Sequence, residues 1–384
     1  MPRPLPSGHG WIPIANGALD VRDCADFDRA ADVLVVPTTP SEAICLVGDG
    51  AALWRRLITA APLPPTAVTP DEQAILGHLH DIGLVALGAS HPARITELHP
   101  PTLSSPLHEL VYALVARVAA SHGIPCVFTK GPALHLQGLR DREHSGDVDL
   151  WCDPARLDEL ADALAPWGWH RAPDPWRGTT VHHTVTLVPE QWGCEIDVHR
   201  RFPGLVLDDD SAFALVLRDA VLVRYGAVDV PVPAPATHAV LAALHAVRPL
   251  IGAGPRSSHD SAAARTFLSR AEGSVARARE LGAVPALRDE LEPLAEPGSL
   301  DADAGGTPRD WVWRQQSDHV RAYWMAMSAE TWPMRARLIV RFLWPPDDVA
   351  LASAHHAGHA PTSARRARLV RLRRGIRDWM QRRR

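Results

Sequence analysis

Two aspartates in the segment GDVDLW, residues 146–151, alternate with apolar residues. If this segment is a strand, Asp147 and Asp149 point to one face of a sheet, while Val148 and Leu150 point into the core. Carboxylates that close repel each other unless a cation lies between them, and divalent ions such as Mg²⁺ bind oxygen ligands. The spacing therefore predicts a metal-binding pair, although paired aspartates on an exposed strand can also form a solvated surface.

A third carboxylate lies in the segment GCEIDVHRRF, residues 193–202. Alternation places Asp197 and His199 on one face of a strand, and the turn PEQWG joins this strand to the preceding run HTVTLV. Three acids on adjacent strands can hold two Mg²⁺ ions about 4 Å apart, an arrangement that serves phosphoryl or nucleotidyl transfer. Asp197 could instead pair with Arg200 or Arg201, and His199 could orient a carboxylate or contact a substrate.

A candidate phosphate-binding loop lies in the segment VFTKGPALHL, residues 127–136. Lys130 and Gly131 fall between a strand and a helix whose first turn contains Pro132. Backbone N–H groups at such a helix start bind phosphate, and a glycine lets the phosphate approach closely. Lys130 is the one lysine among 40 basic residues, and it would add a compact positive charge. A Lys-Gly pair alone is also a common turn, so its meaning depends on the neighbouring acids.

Helix and strand patterns surround these three segments. A helix over 107–120 and a short strand over 124–129 precede the Lys-Gly pair. Helices are also predicted over 237–248, 261–280 and 310–343, separated by stretches rich in glycine and proline. The acids and the Lys-Gly pair thus belong to a region of mixed strands and helices that is followed by a helical region.

The N-terminal part of the chain has a different pattern. Residues 1–24 are rich in proline and glycine and predict a poorly ordered arm. Strands over 33–36 and 43–47 follow, and then a helix. Thr69, with Glu72 three residues later, predicts the start of a second helix through a capping box. Two strands with short helices form a small winged-helix-like arrangement.

The order of strand, Lys-Gly, helix, arginine, GDVDL, helix, strand and EIDVH resembles the nucleotidyltransferase superfamily of the DNA polymerase β type. It is most similar to an uncharacterised bacterial group that has a Lys-Gly loop, and the likeness spans roughly residues 107–380. The resemblance implies an α+β fold with a mixed-sheet core, Mg²⁺ as cofactor and a nucleoside triphosphate as substrate. It also implies catalytic, metal-binding roles for Asp147, Asp149 and Asp197, and nucleotide-binding roles for Lys130, Gly131, Arg140 and Gly146.

The N-terminal segment resembles the PqqD-like peptide-recognition modules of peptide-modifying pathways. The likeness is carried by the strand-turn-strand pattern, by the run LVGDGAALWRRL with Trp54, and by the terminal LHDIGLV. It implies that a ribosomally made precursor peptide, or a protein of its pathway, is a partner. Trp54 could be a contact residue for such a peptide or an anchor of the module's own core.

Taken together, these patterns predict five regions along the chain. They are a flexible arm (1–24), a PqqD-like winged-helix module (25–90), a linker (91–106), a nucleotidyltransferase core (107–235) and a helical C-terminal region with a basic terminal helix (236–384).

Composition excludes several classes of protein. No uncharged apolar run approaches the length of a membrane span, and the N-terminus lacks the pattern of a secretory signal, so a cytoplasmic protein is expected. The five cysteines and 20 histidines show no zinc-site spacing.

Residues 365–384 carry ten arginines and one acid, against a net charge of −4 for the whole chain. An apolar stripe in this tail predicts docking on the protein body, with RNA, anionic lipid or an acidic peptide as alternatives. The stripe comprises Leu369, Leu372, Ile376 and Trp379.

The features together predict a Mg²⁺-dependent nucleotidyltransferase that moves a nucleoside monophosphate from a nucleoside triphosphate to an acceptor hydroxyl or phosphate. Modified-peptide biosynthesis is the pathway that the N-terminal resemblance suggests. One alternative is a non-catalytic peptide-binding adaptor built on a transferase scaffold. Another is a toxin-neutralising transferase that acts on tRNA or protein. Otherwise nucleic acid is not expected as a partner, because the chain has no RNA-binding motif.

Overall fold

The computed structural model describes residues 9–24, 30–59, 61–143, 146–251, 256–303, 305–356, 358 and 363–381. Within these residues the chain forms a five-stranded mixed sheet, a smaller N-terminal group of strands and helices, and a helical C-terminal region. The mixture of helices and a mixed sheet agrees with the α+β class predicted from the sequence. None of the described helices is long and apolar enough to cross a membrane.

The N-terminal part builds two small antiparallel sheets, one from β2, β3 and β4 and one from β1 and β5. Its elements are β1 (Gly10–Pro13), β2 (Gly17–Asp20), β3 (Val33–Val36), β4 (Ile44–Leu46), α1 (Gly48–Thr59), α2 (Pro70–Asp81) and β5 (Val85–Gly88). The capping box predicted at the start of α2 is confirmed. The Thr69 hydroxyl accepts the Glu72 N–H at 3.3 Å, and the Glu72 carboxylate accepts the Thr69 N–H at 2.8 Å.

Residues 10–20 are not the poorly ordered arm that their composition predicts, and residues 1–8 lie outside the described part of the chain. Two short strands, β1 and β2, pair with β5 and β3, and Ile12 and Leu19 on them are buried. The arm prediction is wrong because each strand has four residues, too few to show a period of its own. The backbone N–H and C=O groups of β1 and β2 are paired with β5 and β3, which lie outside residues 10–20, so the local sequence does not show this pairing.

The central sheet has the strand order β6-β7-β10-β9-β8, in which β7 and β10 are parallel and the other neighbours are antiparallel. The helix α3 and the strand β6 lie where the sequence predicts them, whereas α6 and the hairpin β11-β12 were not predicted. The elements of this region are α3 (Pro106–Ser121), β6 (Cys126–Thr129), α4 (Gly131–Leu136), β7 (Asp147–Cys152), α5 (Leu157–Leu164), β8 (Trp169–Arg171), β9 (Thr184–Pro189), β10 (Glu195–His199), α6 (Asp209–Arg218), β11 (Val221–Tyr225) and β12 (Val228–Val232).

The two faces of the central sheet have different partners. On one face, Val148 and Leu150 of β7 and Ile196 of β10 are fully buried in a cluster that includes residues of α3 and α5. On the other face, Trp151 packs into a second cluster built mainly from the C-terminal helices. The face that carries the acids is therefore covered by the second cluster around Trp151, and Asp147 and Asp149 lie on this face nearer the start of β7.

The N-terminal strands pack directly on the core through a close backbone approach. The Ala18 N–H donates to the Gly226 carbonyl oxygen at 2.8 Å. Gly226 lies in the β11-β12 turn with φ +52°, and a Cβ atom there would lie 3.0 Å from Leu110 Cδ2 and 3.1 Å from Ala113 Cβ. Both the backbone conformation and the lack of space therefore favour glycine at this position.

Glu109 ties three backbone segments together in the core. Its buried carboxylate accepts the N–H groups of Thr102 at 2.6 Å, Leu103 at 2.9 Å and Gly226 at 2.9 Å. Because Glu109→Ala would leave these three donors without their acceptor, we expect the free energy of unfolding to fall by about 3 kcal/mol. Urea unfolding followed by circular dichroism measures the change, with Glu97→Ala, at an exposed carboxylate, as the control. A loss as small as that of the control would contradict this role.

The C-terminal region consists of nine helices among the described residues. The predicted helix at 237–248 is α7, but the segments 261–280 and 310–343 are each divided. Gly273, in the left-handed region at φ +78°, separates α8 from α9, and the Asp318 side chain caps the start of α12. The helices are α7 (Pro235–Val247), α8 (Ser258–Ser269), α9 (Ser274–Glu280), α10 (Val284–Leu291), α11 (Arg309–Arg314), α12 (His319–Ser328), α13 (Trp332–Leu343), α14 (Asp347–His356) and α15 (Ala364–Gln381).

The basic terminal helix α15 packs on α14, but through a different face from the predicted stripe. Ala367 is buried against alanines of α14, whereas Leu369 and Leu372 are 45% and 49% exposed. Residues two positions apart in a helix lie on nearly opposite sides, so a contact through Ala367 turns Leu369 outward. The predicted docking stripe is therefore wrong at these two leucines. The side chains of Ile376 and Trp379 lie outside the described part.

Candidate active site

Strands β7 and β10 lie side by side in the central sheet and carry the three aspartates of interest. Their parallel register pairs Asp149 with Asp197, and Asp147 with Glu195. Because side chains alternate along each strand, all three aspartates project from one face of the sheet. The close approach of these acids, predicted from two separate segments, is thus a direct result of the register between two neighbouring strands.

Asp149 is the buried centre of the site, with a side chain that is 4% exposed. Lys130 Nζ donates to its Oδ1 at 2.5 Å, and His199 Nε2 donates to the same oxygen at 2.8 Å. Burial by itself would raise the pKa of Asp149, but the His199 hydrogen bond and the Lys130 charge outweigh burial and hold this pKa well below its usual range. Asp149 is therefore ionised at neutral pH.

His199 orients Asp149, which is one of the two roles that the sequence leaves open for it. The imidazole must donate through Nε2, because the ionised carboxylate can only accept. Its Nδ1 lies 2.7 Å from Thr184 Oγ1, and burial lowers the pKa of His199, so the neutral ring accepts the Thr184 hydroxyl proton. His199 is 5% exposed, so its ring contacts Asp149 from the protein interior.

Asp147 is half-buried at the start of β7. Burial and the negative charges of Asp149 and Asp197 raise its pKa, although the Lys130 charge partly opposes them. A ligand atom from each of Asp149, Asp197 and His199 lies within 4.8 Å of the other two. The negative charges of these neighbouring carboxylates thus repel each other, and the Lys130 charge opposes this repulsion only in part, which favours the uptake of a cation.

Asp197 is held by a neighbouring strand and not by an arginine. The Thr186 hydroxyl, on β9, donates to Asp197 Oδ1 at 2.6 Å. Arg200 pairs with an aspartate of α6 at 2.9 Å, and Arg201 pairs with an aspartate of α11 at 3.4 Å. The interpretation in which Asp197 serves as the partner of one of these arginines is therefore wrong.

The Lys-Gly loop has an unusual backbone that a distant helix supports. Lys130 and Gly131 both have positive φ values, 59° and 50°, which are uncommon for a residue such as lysine. His238 of α7 accepts the Lys130 N–H at its Nε2 at 2.7 Å, and its Nδ1 donates to Gln137 Oε1 at 2.7 Å. One buried imidazole therefore fixes both the start of the loop and the end of the short helix after it.

Arg140 braces the same loop from the other side. Its Nη2 donates to the carbonyl oxygens of Gly131 at 2.8 Å and Glu143 at 3.0 Å, and its Nε donates to that of Arg142 at 2.9 Å. Gly146, immediately before β7, is exposed, and a Cβ atom there would meet nothing within 4 Å, so no close packing requires this glycine. All seven residues singled out from the sequence line one cavity of about 360 Å³. They are Lys130, Gly131, Arg140, Gly146, Asp147, Asp149 and Asp197.

The buried His238 should give the stability of the fold a pH dependence. Burial and the Arg140 charge lower its pKa from 6.5 to about 3, although Asp149 opposes the shift, so folded His238 stays neutral as the unfolded chain takes up a proton. Its contribution is complete above pH 6.5 and is lost on acidification, by about 2 kcal/mol between pH 6.5 and 5. Denaturant unfolding should show a shallower slope in His238→Gln than in wild type, because burial also lowers the pKa of His183 and His245 and these residues keep part of the slope in the variant. Equal slopes in the two proteins would contradict the role of His238.

Two residues of the site were not identified from the sequence. Thr186 lies on the predicted partner strand, and alternation would have placed its side chain on the face that carries Asp197. His238 follows a proline-containing helix start in an otherwise apolar helix, and His245 lies seven residues later on the same face. A buried polar residue in such a helix is a usable signal, but its partner, Lys130, is 108 residues away.

Comparison with known proteins supports the assignment made from the residues. Residues 107–291 match the model of a family described as an uncharacterised nucleotidyltransferase. No curated protein matches the chain. The matched segment contains the Lys-Gly loop, both acid-bearing strands and the helix that holds His238. The match thus supports membership of the nucleotidyltransferase superfamily for the part of the chain that builds this site.

Proposed function

We propose that the protein is a Mg²⁺-dependent nucleotidyltransferase that moves a nucleoside monophosphate from a nucleoside triphosphate to an acceptor hydroxyl or phosphate. The observation that carries this proposal is the register of β7 and β10, which places three aspartates beside the Lys-Gly loop around one cavity. The family match adds independent support. We also propose that the protein is located in the cytoplasm.

The donor set fits a hard divalent cation. Three carboxylates supply oxygen ligands. Burial, together with the negative charges of Asp149 and Asp197, raises the pKa of Asp147, and a cation would favour the ionised form of this carboxyl. Asp147 and Asp149 would hold two Mg²⁺ ions, and Asp197 would hold the one nearer the acceptor. The bound ions would polarise the α-phosphate and favour the deprotonated acceptor.

The side chains around the acids then have distinct tasks. Lys130 and Gly131 would contact the phosphates of the nucleotide, while Arg140 keeps their loop in shape through the Gly131 carbonyl. His199 and Thr186 hold the Asp149 and Asp197 carboxylates in fixed orientations. In the reaction the acceptor oxygen forms a bond to the α-phosphorus, the bond from that phosphorus to the β-phosphate oxygen breaks, and pyrophosphate leaves.

The N-terminal part suggests which acceptor to look for. We propose, from the resemblance of residues 25–90 to PqqD-like modules, that the acceptor is a ribosomally made precursor peptide or a protein of its pathway. Trp54 is fully buried and its Nε1 donates to the Leu84 carbonyl oxygen at 3.0 Å, so it anchors the core of this part. Peptide recognition would therefore have to use other residues.

Calorimetry with each of the four ribonucleoside triphosphates tests the proposed function directly. We expect at least one to bind the full chain in the presence of Mg²⁺ and to bind much more weakly once EDTA removes the metal. Incubation of the protein with that nucleotide, labelled at the α-phosphate, and a cell lysate should then transfer label to an acceptor. A protein that binds peptide but ignores every nucleotide would instead be an adaptor.

A further inference from the structure

A second cavity adjoins the acid-site cavity. Its volume is about 790 Å³, and His245 and Ala246 of α7 line both cavities. Its wall carries three arginines against one acid. These residues are Arg248, Arg256, Arg314 and Asp260. The cavity is therefore basic and opens beside the proposed reaction centre.

Two of these arginines have no carboxylate partner within the described part of the chain. Arg248 Nη1 lies 3.2 Å from His183 Nε2, and the Arg314 guanidinium lies over the Trp313 ring, 4.5 Å from its centroid. Burial and the charges of Arg248 and Arg201 lower the pKa of Arg314 to about 10, although the Asp310 charge opposes this shift. Arg248 and Arg314 thus line the same cavity and their positive charges repel each other, which favours the binding of an anion between them.

The other charged residues of this wall are already satisfied. Arg256 pairs with the buried Glu290 at 3.2 Å, and the Asp260 carboxylate accepts the Ser257 hydroxyl at 2.7 Å. The charge available to a ligand therefore comes from Arg248 and Arg314. A guanidinium can present two parallel N–H donors to a carboxylate or phosphate, which suits these arginines to an oxyanion.

The proposed binding site for the nucleotide phosphates has basic residues of its own, in the other cavity. The acid-site cavity is lined by Lys130, Arg140 and Arg142. Within the described part of the chain, none of these three residues lines the second cavity. Arg248 is nevertheless within electrostatic reach of Asp149 and Asp197, whose charges partly oppose the lowering of its pKa by burial. A molecule held by Arg248 would thus lie close to the acids without occupying the Lys-Gly loop.

We propose that Arg248 and Arg314 bind an anionic group, a phosphate or a carboxylate, of the acceptor substrate while its reacting oxygen lies at the acid site. This inference rests on the proposed nucleotidyl transfer, because it assigns the second cavity to the acceptor of that reaction. The proposed anion site restricts the possible acceptors to molecules or peptide segments that carry an oxyanion near the hydroxyl or phosphate that is modified.

Titration of inorganic phosphate into the full chain, with acetate as a parallel ligand, tests the anion site by calorimetry. We expect the wild type to bind at least one of the two anions, and Arg248→Gln/Arg314→Gln to bind it at least about tenfold more weakly. The control is Arg218→Gln, at a side chain that is 66% exposed and lies on α6. Equal binding by wild type and the double variant, or no binding of either anion by wild type, would overturn the proposal.

A second titration separates the acceptor site from the nucleotide site. With a saturating non-hydrolysable nucleoside triphosphate and Mg²⁺ present, the wild type should still bind the anion with an affinity within about threefold of that without nucleotide. Displacement of the anion by the nucleotide would overturn the assignment to the acceptor. Anion binding in a protein that binds no nucleotide would also overturn that assignment, and would contradict the proposed function itself. Thermal unfolding verifies that the double variant is folded.

Discussion

Replacement of Asp147 and Asp149 by asparagine should abolish Mg²⁺-dependent turnover of nucleoside triphosphate. The two carboxylates share one face of β7 and are proposed to hold both metal ions, so the double variant loses ligands to each. We expect turnover to fall by at least about 10³-fold, which corresponds to about 4 kcal/mol of transition-state stabilisation. Pyrophosphate release, measured with and without EDTA, gives the rate.

The single variant Asp147→Asn makes this test independent of folding. Because burial and the charges of Asp149 and Asp197 raise the pKa of Asp147, removing its charge should leave the free energy of unfolding unchanged or increased. If Asp147→Asn is as stable as wild type but does not turn over nucleoside triphosphate, the Asp147 carboxylate is needed for the reaction and not for folding. Glu195→Gln, at the exposed register partner of Asp147, is the matched control and should keep full turnover. Turnover that survives in the double variant would refute the enzymatic proposal.

Replacement of Asp197 by asparagine should reduce the rate of the chemical step more than the binding of nucleotide. Asp197 is proposed to hold the ion near the acceptor, whereas Lys130, Gly131 and the other two aspartates are proposed to contact the nucleotide and its metal. We expect the dissociation constant for Mg²⁺-nucleotide to stay within about threefold of wild type while kcat falls by about 10²-fold to 10³-fold. Calorimetry and single-turnover kinetics measure the two quantities separately.

Thr186→Val provides a graded comparison for Asp197. It removes the hydroxyl that donates to Asp197 Oδ1 at 2.6 Å but leaves the carboxylate in place. Removal of a group that orients a metal ligand typically lowers activity by about 10-fold to 100-fold. The kcat of Thr186→Val should therefore lie between those of wild type and Asp197→Asn. The opposite pattern, in which Asp197→Asn weakens nucleotide binding and leaves kcat unchanged, would assign Asp197 to the nucleotide instead.

The site shows which parts of a protein can be predicted from local sequence. Strand alternation placed Asp147 and Asp149 on one face of β7 and Asp197 on one face of β10, because side-chain direction along a strand depends only on the backbone of that strand. The capping box at Thr69 was predictable for the same reason, since its hydrogen bonds join residues three positions apart. The N-terminal strands β1 and β2 were missed because they are stabilised by partners elsewhere in the chain.

The sequence by itself therefore determined the chemical groups of this protein and the faces on which they lie. Only the tertiary structure decided that β10 pairs with β7 in a register that sets Asp197 against Asp149, that Lys130 bonds to Asp149, and that His238 supports the loop from 108 residues away. Periodicity and capping act over a few residues. Strand pairing and burial depend on which distant surfaces exclude water together, and that information is spread over the whole chain.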